Sequence, residues 1–527
     1  MLRIDQLRLL PDEPETVLLH KCARLLRVEP SALTGLTVLR RAIDARESLT
    51  FVYTVIVSAP QETALLRRCR DKRVTAYAPE QYALPASVDA PAVRPIVVGA
   101  GPAGLFAALV LAKCGARPIL LERGQCVEQR QRDVQRFWAT GELDTESNVQ
   151  FGEGGAGAFS DGKLNTGTRD VRHRFIMEQL VSCGAPADIL TDALPHVGTD
   201  MLHIALQRLR RQLLDAGADI RFGARLEGLT VQEGVVTAVT VRKGGTLYTL
   251  PARQVVLALG HSARDTFEML YDAGAAMEQK PFAMGVRIEH RQSAVDAARY
   301  RRLAGHPSLP PATYKLSCHL PNGRSAFSFC VCPGGQVVAA ASEARRVVTN
   351  GMSEYARGRE NINGALLVNV TPADFPDDHP LSGIRLQRQL EEAAFALGGD
   401  YRAPCQRVED FLAGRPSVGA GNVQPSYLPA VTYTDLHRCL PPFISETLAL
   451  ALPELGRRLR GYDDPDALLT GVETRSSSPV RLVRDGHYES NIRGVYPCGE
   501  GAGYAGGILS AAADGMRCAE KILEVYR

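Results

Sequence analysis

Apolar and polar residues alternate with two different periods over the first 80 residues of the chain. A period of two predicts β-strands, and apolar residues three and four positions apart predict amphipathic helices. Strands are predicted at residues 2–10, 36–43, 49–57 and 74–78, and helices at residues 15–28 and 62–72. This order, βαββαβ, is typical of a ferredoxin-like sandwich. We therefore expect a small α+β module at residues 1–88, ending in a linker rich in Pro and Ala.

A short, wholly apolar run follows the linker at Ile96–Val98, as is typical of a buried parallel strand. Three glycines come next. Gly99 allows a tight turn, Gly101 lets the backbone approach a pyrophosphate, and Gly104 lets the following helix pack closely on the strand. The next predicted strand ends in Glu122, near the spacing expected of an acid that binds ribose hydroxyls. Strand, glycines, helix and acid together predict a dinucleotide-binding turn, with the helix N-terminus directed at the phosphates.

A second glycine-rich segment lies at residues 151–164, where five of the fourteen residues are glycine. Glycine weakens helices and strands, so this segment is not the interior of either. Phe151, Phe159 and Leu164 are placed to anchor it in a core, which disfavours a flexible surface linker. We interpret the segment as a loop whose backbone faces a cofactor or substrate.

Two later segments return to the same pattern. A buried strand is predicted at residues 254–259 and ends at Gly260, and a strand, a glycine-rich turn and a helix fill residues 494–526. Residues 282–478 contain strand patterns at 285–289, 326–332, 336–340 and 365–370 and a helix pattern at 385–397, but no second strand–GxGxxG–helix unit. We interpret them as an inserted substrate or cap domain. The predicted division is an N-terminal module (1–88), the first part of a nucleotide-binding domain (89–281), the inserted domain (282–478) and the C-terminal part of the nucleotide-binding domain (479–527).

Composition and charge restrict the class of protein. A net charge of +3 over 527 residues is nearly neutral, which disfavours a nucleic-acid partner without ruling one out. Basic residues of the N-terminal module could dock RNA or an acidic partner, but neighbouring acids favour a solvated surface. The twelve cysteines lack zinc-site spacing, no metal site is predicted, and no secretory signal or long apolar span is present. We expect a cytoplasmic protein with free thiols and no membrane association.

The three nucleotide-contacting segments resemble the FAD-binding domain of glutathione-reductase-type flavoproteins. The loop at 151–164, the segment 282–290 and the segment 329–335 are similar to the uncharacterised FAD-dependent dehydrogenases of bacteria and plastids, over nearly the whole chain. The resemblance implies an α/β fold: a Rossmann-type FAD-binding domain of the glutathione-reductase type, an inserted α+β substrate domain and the ferredoxin-like module. It also implies FAD as the cofactor.

The residues predicted to hold FAD lie on these turns. They are Gly99, Gly101, Pro102, Ala103, Gly104, Glu122, Arg123, Arg130, Gly154, Gly155, Gly157, Ser160, Gly260, Gly499, Glu500, Gly506, Gly507 and Ile508. The acid after the last strand normally binds the ribityl chain, and Glu500 stands there in place of the usual Asp. The helix that begins near Ile508 would direct its positive end at the pyrimidine end of the flavin.

Catalytic residues are much less explicit. Lys163, Asp161 and His261 are weak candidates, because structural roles would explain each of them equally well. Cys330 and Cys332 are separated by one residue, unlike the CxxC redox motif at a helix start, so the sequence favours structural thiols.

Two classes of function are compatible with these features. The favoured class is an FAD-dependent dehydrogenase or reductase that acts on a small organic substrate held between the FAD-binding and inserted domains. A separate electron carrier could serve as donor, since no nicotinamide-binding domain is recognisable. The alternatives are a flavoprotein that acts on or binds RNA or a protein, and a flavin monooxygenase.

Overall fold

The structure is a computed structural model that describes residues 1–46 and 48–527. The N-terminal part forms a four-stranded antiparallel sheet in the order β2-β3-β1-β4, with two helices. The elements are β1 Leu2–Leu9, α1 Val17–Leu26, β2 Gly35–Asp44, β3 Thr50–Ser58, α2 Glu62–Arg68 and β4 Val74–Ala76. Their order is the βαββαβ order predicted from the sequence. Inward-facing side chains of the sheet and of α1, including Ile4, Leu18 and Val55, form a separate small core.

The next part alternates strands and helices. Its elements are β5 Ile96–Val98, α3 Pro102–Lys113, β6 Ile119–Glu122, α4 Val127–Thr140, α5 Val171–Ser182, α6 Thr199–Asp215, β7 Asp219–Phe222, β8 Ala224–Gln232, β9 Val235–Lys243, β10 Thr246–Pro251, β11 Val255–Leu257 and α7 Arg264–Asp272. Strands β8, β9 and β10 form an antiparallel meander.

The remaining chain builds a second sheet and then returns to the first. Its elements are β12 Met277–Gln279, β13 Phe282–Arg291, α8 Gln292–Tyr300, β14 Ser317–His319, β15 Ser325–Ala339, β16 Thr349–Met352, β17 Asn361–Val370, α9 Ser382–Gly398, β18 Ala403–Arg407, α10 Val408–Leu412, β19 Val431–Tyr433, α11 Pro442–Arg458, β20 Leu468–Glu473, β21 Val480–Leu482, β22 Val495–Pro497 and α12 Ile508–Val525.

A five-stranded parallel sheet lies at the centre of the nucleotide-binding part, in the order β22-β11-β5-β6-β7. Its strands are apolar and mostly buried because both faces are covered. Helices α3 and α12 pack together on one face, and the β8–β10 meander and α7 cover the other. All carboxyl ends of parallel strands lie at one edge of a sheet, and ligands bind there in open α/β folds.

An eight-stranded sheet forms the inserted part, in the order β14-β15-β17-β13-β20-β18-β19, with β16 paired to β15. Helices α9 and α11 contribute to its core. Strand β15 corrects a prediction, because the patterns at 326–332 and 336–340 belong to one continuous strand. The sequence indicates a strand break at Pro333, Gly334 and Gly335. The strand accommodates them through two irregularities in its pairing with β17.

Among residues 1–46 and 48–527, no helix is both long and apolar enough to cross a bilayer.

Candidate functional site

A cavity of about 780 Å³ lies where the parallel sheet meets the inserted sheet. The carboxyl ends of β5, β6, β11 and β22 open into it, and β13, β15, β16, β17 and β20 supply the remaining wall. Its volume is in the range typical of cofactor and small-molecule sites. The chain's three glycine-rich turns, which are far apart in sequence, therefore meet in one place.

The turn after β5 has the geometry that a bound pyrophosphate needs. A Cβ at Gly104 would lie 1.8 Å from the carbonyl oxygen of Gly99, so only glycine lets α3 start this close to the strand. A Cβ at Gly101 would have only the Cα of Gly155 within 4 Å, at 3.8 Å, and Gly101 lines the cavity. Its missing side chain thus leaves space on the ligand side, at the N-terminus of α3, where an anion is favoured.

Glu122, at the end of β6, lies beside that turn and is largely committed to the protein backbone. Its Oε1 accepts hydrogen bonds from the N–H groups of Gly124 and Gly152, both at 2.9 Å, and its Oε2 accepts one from Ala100 at 2.7 Å. A carboxylate can accept about four hydrogen bonds, so Oε2 retains capacity for a hydroxyl donor. Glu122 therefore joins the two glycine-rich segments and still faces the cavity.

Arg123 also lines the cavity, but its guanidinium is directed at protein partners. It pairs with Asp265 at 2.8 Å and with Glu146 at 3.0 Å, and it stacks 4.1 Å from the ring centre of Phe151. These contacts hold the pKa of Arg123 above its ordinary value against the effect of burial. The residue closes one side of the cavity rather than presenting a free charge to it.

The glycine-rich segment forms a 3₁₀ turn at Gly155–Phe159 directly against the Gly101 turn. Several predicted cofactor residues of this loop lie on the cavity surface: Gly155, Gly157 and Ser160. A Cβ at Gly157 would lie 3.3 Å from the side chain of Ile508, so the loop also packs on the start of α12. This close packing explains why the segment is poor in side chains.

Three predicted cofactor residues lie outside the cavity lining: Gly104, Arg130 and Gly154. Gly104 serves the packing of α3, and a Cβ at Gly154 would meet the side chain of Leu206 at 2.4 Å. Arg130 is fully buried and donates to the carbonyl oxygens of Asn148 at 2.8 Å, Val149 at 2.9 Å and Glu153 at 2.7 Å. Arg130 thus shapes the loop from behind, and the sequence-based role for it is corrected to a positioning one.

Asp161 and Lys163 are brought together on the cavity wall. The carboxylate of Asp161 pairs with Lys163 at 2.8 Å and with Arg357 at 2.6 Å, and it accepts a short hydrogen bond from Ser353. Burial acts to raise the pKa of Asp161, but the two cations outweigh it and hold the pKa at about 2. Asp161 is therefore ionised at neutral pH and serves as a buried anchor for two cations rather than as a proton acceptor.

His261 and Glu500 face each other across the turns after β11 and β22, with Nε2 and Oε1 separated by 3.8 Å. Burial, with the nearby cations Arg475 and Arg264, lowers the pKa of His261 to about 3, so the imidazole is neutral. Burial raises the pKa of Glu500 to about 7. Glu500 can therefore hold or release a proton near neutral pH, and His261 cannot.

The last turn places backbone groups at the other end of the cavity. Gly506, Gly507 and Ile508 line it where α12 begins, and a Cβ at either glycine would have no neighbour within 4 Å. Gly260, Pro102, Ala103 and Gly499 line the adjoining surface. The positive end of an 18-residue helix at such a position favours a ligand group that carries negative charge.

The inserted sheet contributes residues that the sequence did not single out as site residues. Phe329 is 44% exposed and lines the cavity together with Cys330 and Asn350. Glu473 lines the cavity and pairs with the buried Arg287 at 2.9 Å. The sequence signals for this wall are the segments 282–290 and 329–335, which carry part of the family resemblance.

Comparisons with known proteins agree with an FAD-binding α/β protein. A profile described as an FAD binding domain matches residues 94–158, and one described as "FAD-dependent protein, C-terminal domain-like" matches residues 281–476. A domain of unknown function matches residues 1–58. An uncharacterized protein of Clostridium beijerinckii is 44% identical over 531 residues, covering 100% of this chain and 99% of its own length. The chain belongs to the same family of FAD-dependent proteins as this relative, and FAD is its cofactor.

Solved flavoprotein structures are similar at a lower level. The flavin-dependent brominase Bmp2 is 12% identical over 82% of this chain and 79% of its own, with a TM-score of 0.39. The quinol fumarate reductase subunit FrdA of E. coli is 14% identical over 82% and 70%, with a TM-score of 0.37. The glycerol-3-phosphate dehydrogenase of Bacillus halodurans is 13% identical over 84% and 64%, with a TM-score of 0.32.

Proposed function

We propose that the protein is an FAD-dependent dehydrogenase or reductase whose small organic substrate binds between a glutathione-reductase-type FAD-binding domain and the inserted sheet. One observation carries this proposal. A single cavity is lined both by the glycine turns that suit a dinucleotide and by side chains of β15, β16 and β20. FAD would take the glycine-lined surface, which leaves the wall formed by the inserted sheet to bind a substrate.

The substrate wall combines an apolar face with a few polar groups. Phe327 and Phe329 offer ring surfaces, and Asn350 and Asn369 offer side-chain amides. FAD supplies the two-electron chemistry. The chain's own contribution is to orient the substrate against these groups, and Glu500 can exchange a proton near neutral pH because its pKa is about 7.

The flavin is expected to be reduced directly by the organic substrate or by a separate electron carrier. The sequence between residues 285 and 479 has no strand–GxGxxG–helix unit of the kind that holds a nicotinamide coenzyme in disulfide reductases. A cytoplasmic location and a small-molecule substrate complete the proposal. An RNA or protein partner and monooxygenation are the competing functions that an experiment has to separate.

The test is anaerobic mixing of the FAD-loaded protein with NADH, NADPH and a panel of organic substrates, followed at the flavin absorbance band. We expect fast bleaching by one class of organic substrate and only slow reduction by either nicotinamide. Tight NADPH binding with fast hydride transfer would overturn the proposal in favour of a monooxygenase. RNA that copurifies in stoichiometric amount would favour the binding function.

Two matched variants identify the substrate wall. Phe329→Ala is expected to raise KM at least several-fold for the substrate found in that panel, while FAD remains bound. Leu450→Ala removes a comparably exposed side chain, 46% against 44%, from helix α11 of the same part of the chain, and should leave KM unchanged. Equal effects of the two substitutions would contradict a substrate site at this wall.

A further inference from the structure

The wall of the cavity contains a pair of cysteines that the proposed function does not use. Cys330 lines the cavity together with Lys163 and Glu500. It also lies close enough to Glu500 for its charge to contribute to the raised pKa of that carboxyl group. Because Glu500 stands where the chain is expected to hold the ribityl group, Cys330 is placed towards the flavin end of the cavity rather than the adenosine end near Glu122.

A β-bulge brings the second cysteine against the first. Between the pairs Phe329–Ala365 and Cys332–Asn363, strand β15 advances three residues while β17 advances two. Cys330 takes a φ of +41°, which is uncommon for a residue other than glycine. The Cys332 thiol lies 3.3 Å from the carbonyl oxygen of Cys330, and the two thiols also interact with each other. In a regular strand residues 330 and 332 would face the same side of the sheet, and the bulge bends β15 between Phe329 and Cys332.

The electrostatic surroundings suit a reactive thiolate. The buried ammonium of Lys163 and the guanidinium of Arg287 both lie near the pair, and Arg287 donates a hydrogen bond of 2.9 Å to the carbonyl of Cys330. The Cys332 thiol, aided by these cations, holds the pKa of Cys330 well below its ordinary value. Thiolates of this kind, at a partly exposed position beside cations, are the reactive ones in proteins.

We propose that Cys330 and Cys332 form a redox-active pair that exchanges two electrons with the bound FAD. In the oxidising direction the two thiols lose two electrons and two protons as the Sγ–Sγ bond forms. Oxidised FAD takes up the same two electrons and two protons to become reduced FAD. The reverse reaction breaks the disulfide and restores oxidised FAD, so no other reactant is needed. This proposal rests on FAD binding and is independent of the substrate class proposed above.

A second pair of neighbouring thiols offers a matched control. Cys498 lines the cavity and interacts with Cys518 on α12. Burial and the neighbouring thiol raise the pKa of Cys498 well above its ordinary value, and Cys518 is fully buried away from the cavity. This pair therefore resembles the first in proximity, and Arg484 approaches the Cys518 thiol at 4.0 Å, but both of its thiols are fully buried. A substitution in this pair therefore tests whether an effect is specific to Cys330 or is common to any two neighbouring thiols.

The experiment is anaerobic titration of the air-oxidised, FAD-loaded protein with dithionite, followed by flavin absorbance. The expected uptake is four electrons per FAD in the wild-type protein and in Cys518→Ser, and two electrons in Cys330→Ser and in Cys332→Ser. An uptake of two electrons by the wild-type protein overturns the proposal. So does a loss of the extra two electrons in Cys518→Ser while Cys330→Ser retains them.

Peptide mass analysis of the wild-type protein gives a second readout that does not depend on the folding of any variant. Oxidised protein alkylated under denaturing conditions should leave Cys330 and Cys332 unmodified in one peptide, and reduction by substrate or dithionite should make both reactive. Alkylation of both residues in the oxidised protein contradicts a disulfide between Cys330 and Cys332. A protein that takes up two electrons per FAD and still oxidises an organic substrate would refute this proposal alone. A protein that takes up four electrons per FAD but oxidises no organic substrate would refute the proposed function alone.

Discussion

Glu500 is a residue of the site whose charge changes near neutral pH. Burial raises its pKa from 4.5 to about 7, and its side chain accepts a hydrogen bond from the backbone of Gly507. An acid whose pKa is higher in the folded than in the unfolded chain stays neutral in the fold while the unfolded chain ionises. Its contribution to stability is therefore fully present below about pH 4.5 and is lost as the pH rises through about 7.

Glu500→Gln should therefore stabilise the FAD-free protein at pH 8 and have much less effect at pH 5. The full shift corresponds to about 3 kcal/mol, and the partial exposure of the side chain reduces the expected gain at pH 8 to about 1–2 kcal/mol. Chemical denaturation at both pH values measures the difference. The exposed Glu278→Gln on β12 is the control and should show no such dependence. A gain of the same size at pH 5 would show that the charge of Glu500 is not the cause.

Gly101 is the residue at which a side chain would most directly displace the cofactor. Its missing Cβ points into open space at the turn after β5. Gly101→Val should yield folded but colourless protein, because the added methyl groups occupy the position expected for the pyrophosphate. Gly35→Val, at a strand position where a Cβ also meets nothing within 4 Å, should keep its yellow colour. FAD absorbance per protein after purification decides between these outcomes, and retained FAD in Gly101→Val would contradict this placement of the phosphates.

Residue types at the turns could be predicted because each glycine there has a local steric reason. The sequence indicated Gly99, Gly101 and Glu122, and all three lie on the cavity. It also indicated Arg130, which lies outside the cavity lining. Only the structure shows that its three nitrogens are used by backbone carbonyls.

The loop that follows α4 is the element on which the site most depends. Its residues 148–153 belong to no helix or strand, and Arg130 satisfies three of their carbonyl oxygens from the adjacent helix. A buried carbonyl left without a partner costs about 1–3 kcal/mol. The shape of the loop, and with it the surface at Gly155 and Gly157, is thus maintained by one side chain.

Arg130→Met should destabilise the protein by about 3 kcal/mol or more and weaken FAD binding, since the loop loses these three bonds. Arg132→Met, two residues along the same helix and exposed, should change neither property measurably. Denaturant unfolding and FAD titration of the two variants provide the comparison. If both variants bind FAD like the wild type, the loop does not depend on Arg130.

Elements with a simple period were predicted well, and irregular ones were not. The apolar run at 96–98, the helix after it and the strands and helices of the N-terminal module follow simple patterns and are found in the structure. Strand β15 was divided in two because Pro333 and two glycines normally end a strand. A bulged pairing with β17 keeps the strand continuous, and that pairing joins residues about 30 positions apart, which local patterns do not encode. Cys330 lies within this bulge and lines the cavity, a position that the sequence did not indicate.

At the scale of the whole molecule, the cavity depends on how two sheets pack together. The sequence predicts the order of the two sheets along the chain but not their packing. The predicted nucleotide-binding turns follow parallel strands, and the carboxyl ends of parallel strands lie at one edge of a sheet. The sequence therefore predicts that these turns lie close together. The substrate wall is formed by side chains from strands β15, β16 and β20, whose neighbours are set by long-range pairing. The domain boundaries at about residues 88, 281 and 478 remain predictions.

The N-terminal module contacts the rest of the chain through few groups. The N–H of Arg41 donates to the carbonyl of Thr191 at 2.7 Å, and the Arg41 side chain pairs with Asp192 at 2.9 Å. The following linker is held more firmly: the hydroxyl of Tyr82 donates to Glu520 at 2.7 Å, and the N–H of Val88 donates to the carbonyl of Cys114 at 2.8 Å. The linker thus packs along α3 and α12, next to the nucleotide-binding sheet.

Two truncated chains, one starting at Tyr77 and one at Ala90, should therefore behave differently. Both should bind FAD, because no described residue of the module or the linker lines the cavity. The chain starting at Ala90 should melt at a lower temperature, by a few degrees, since it lacks the bonds of Tyr82 and Val88, while the chain starting at Tyr77 keeps them. Thermal unfolding followed by flavin fluorescence measures both properties. Loss of FAD from both chains would show that the module is part of the nucleotide-binding architecture, because the longer chain retains every linker contact and lacks only the four-stranded sheet and its helices.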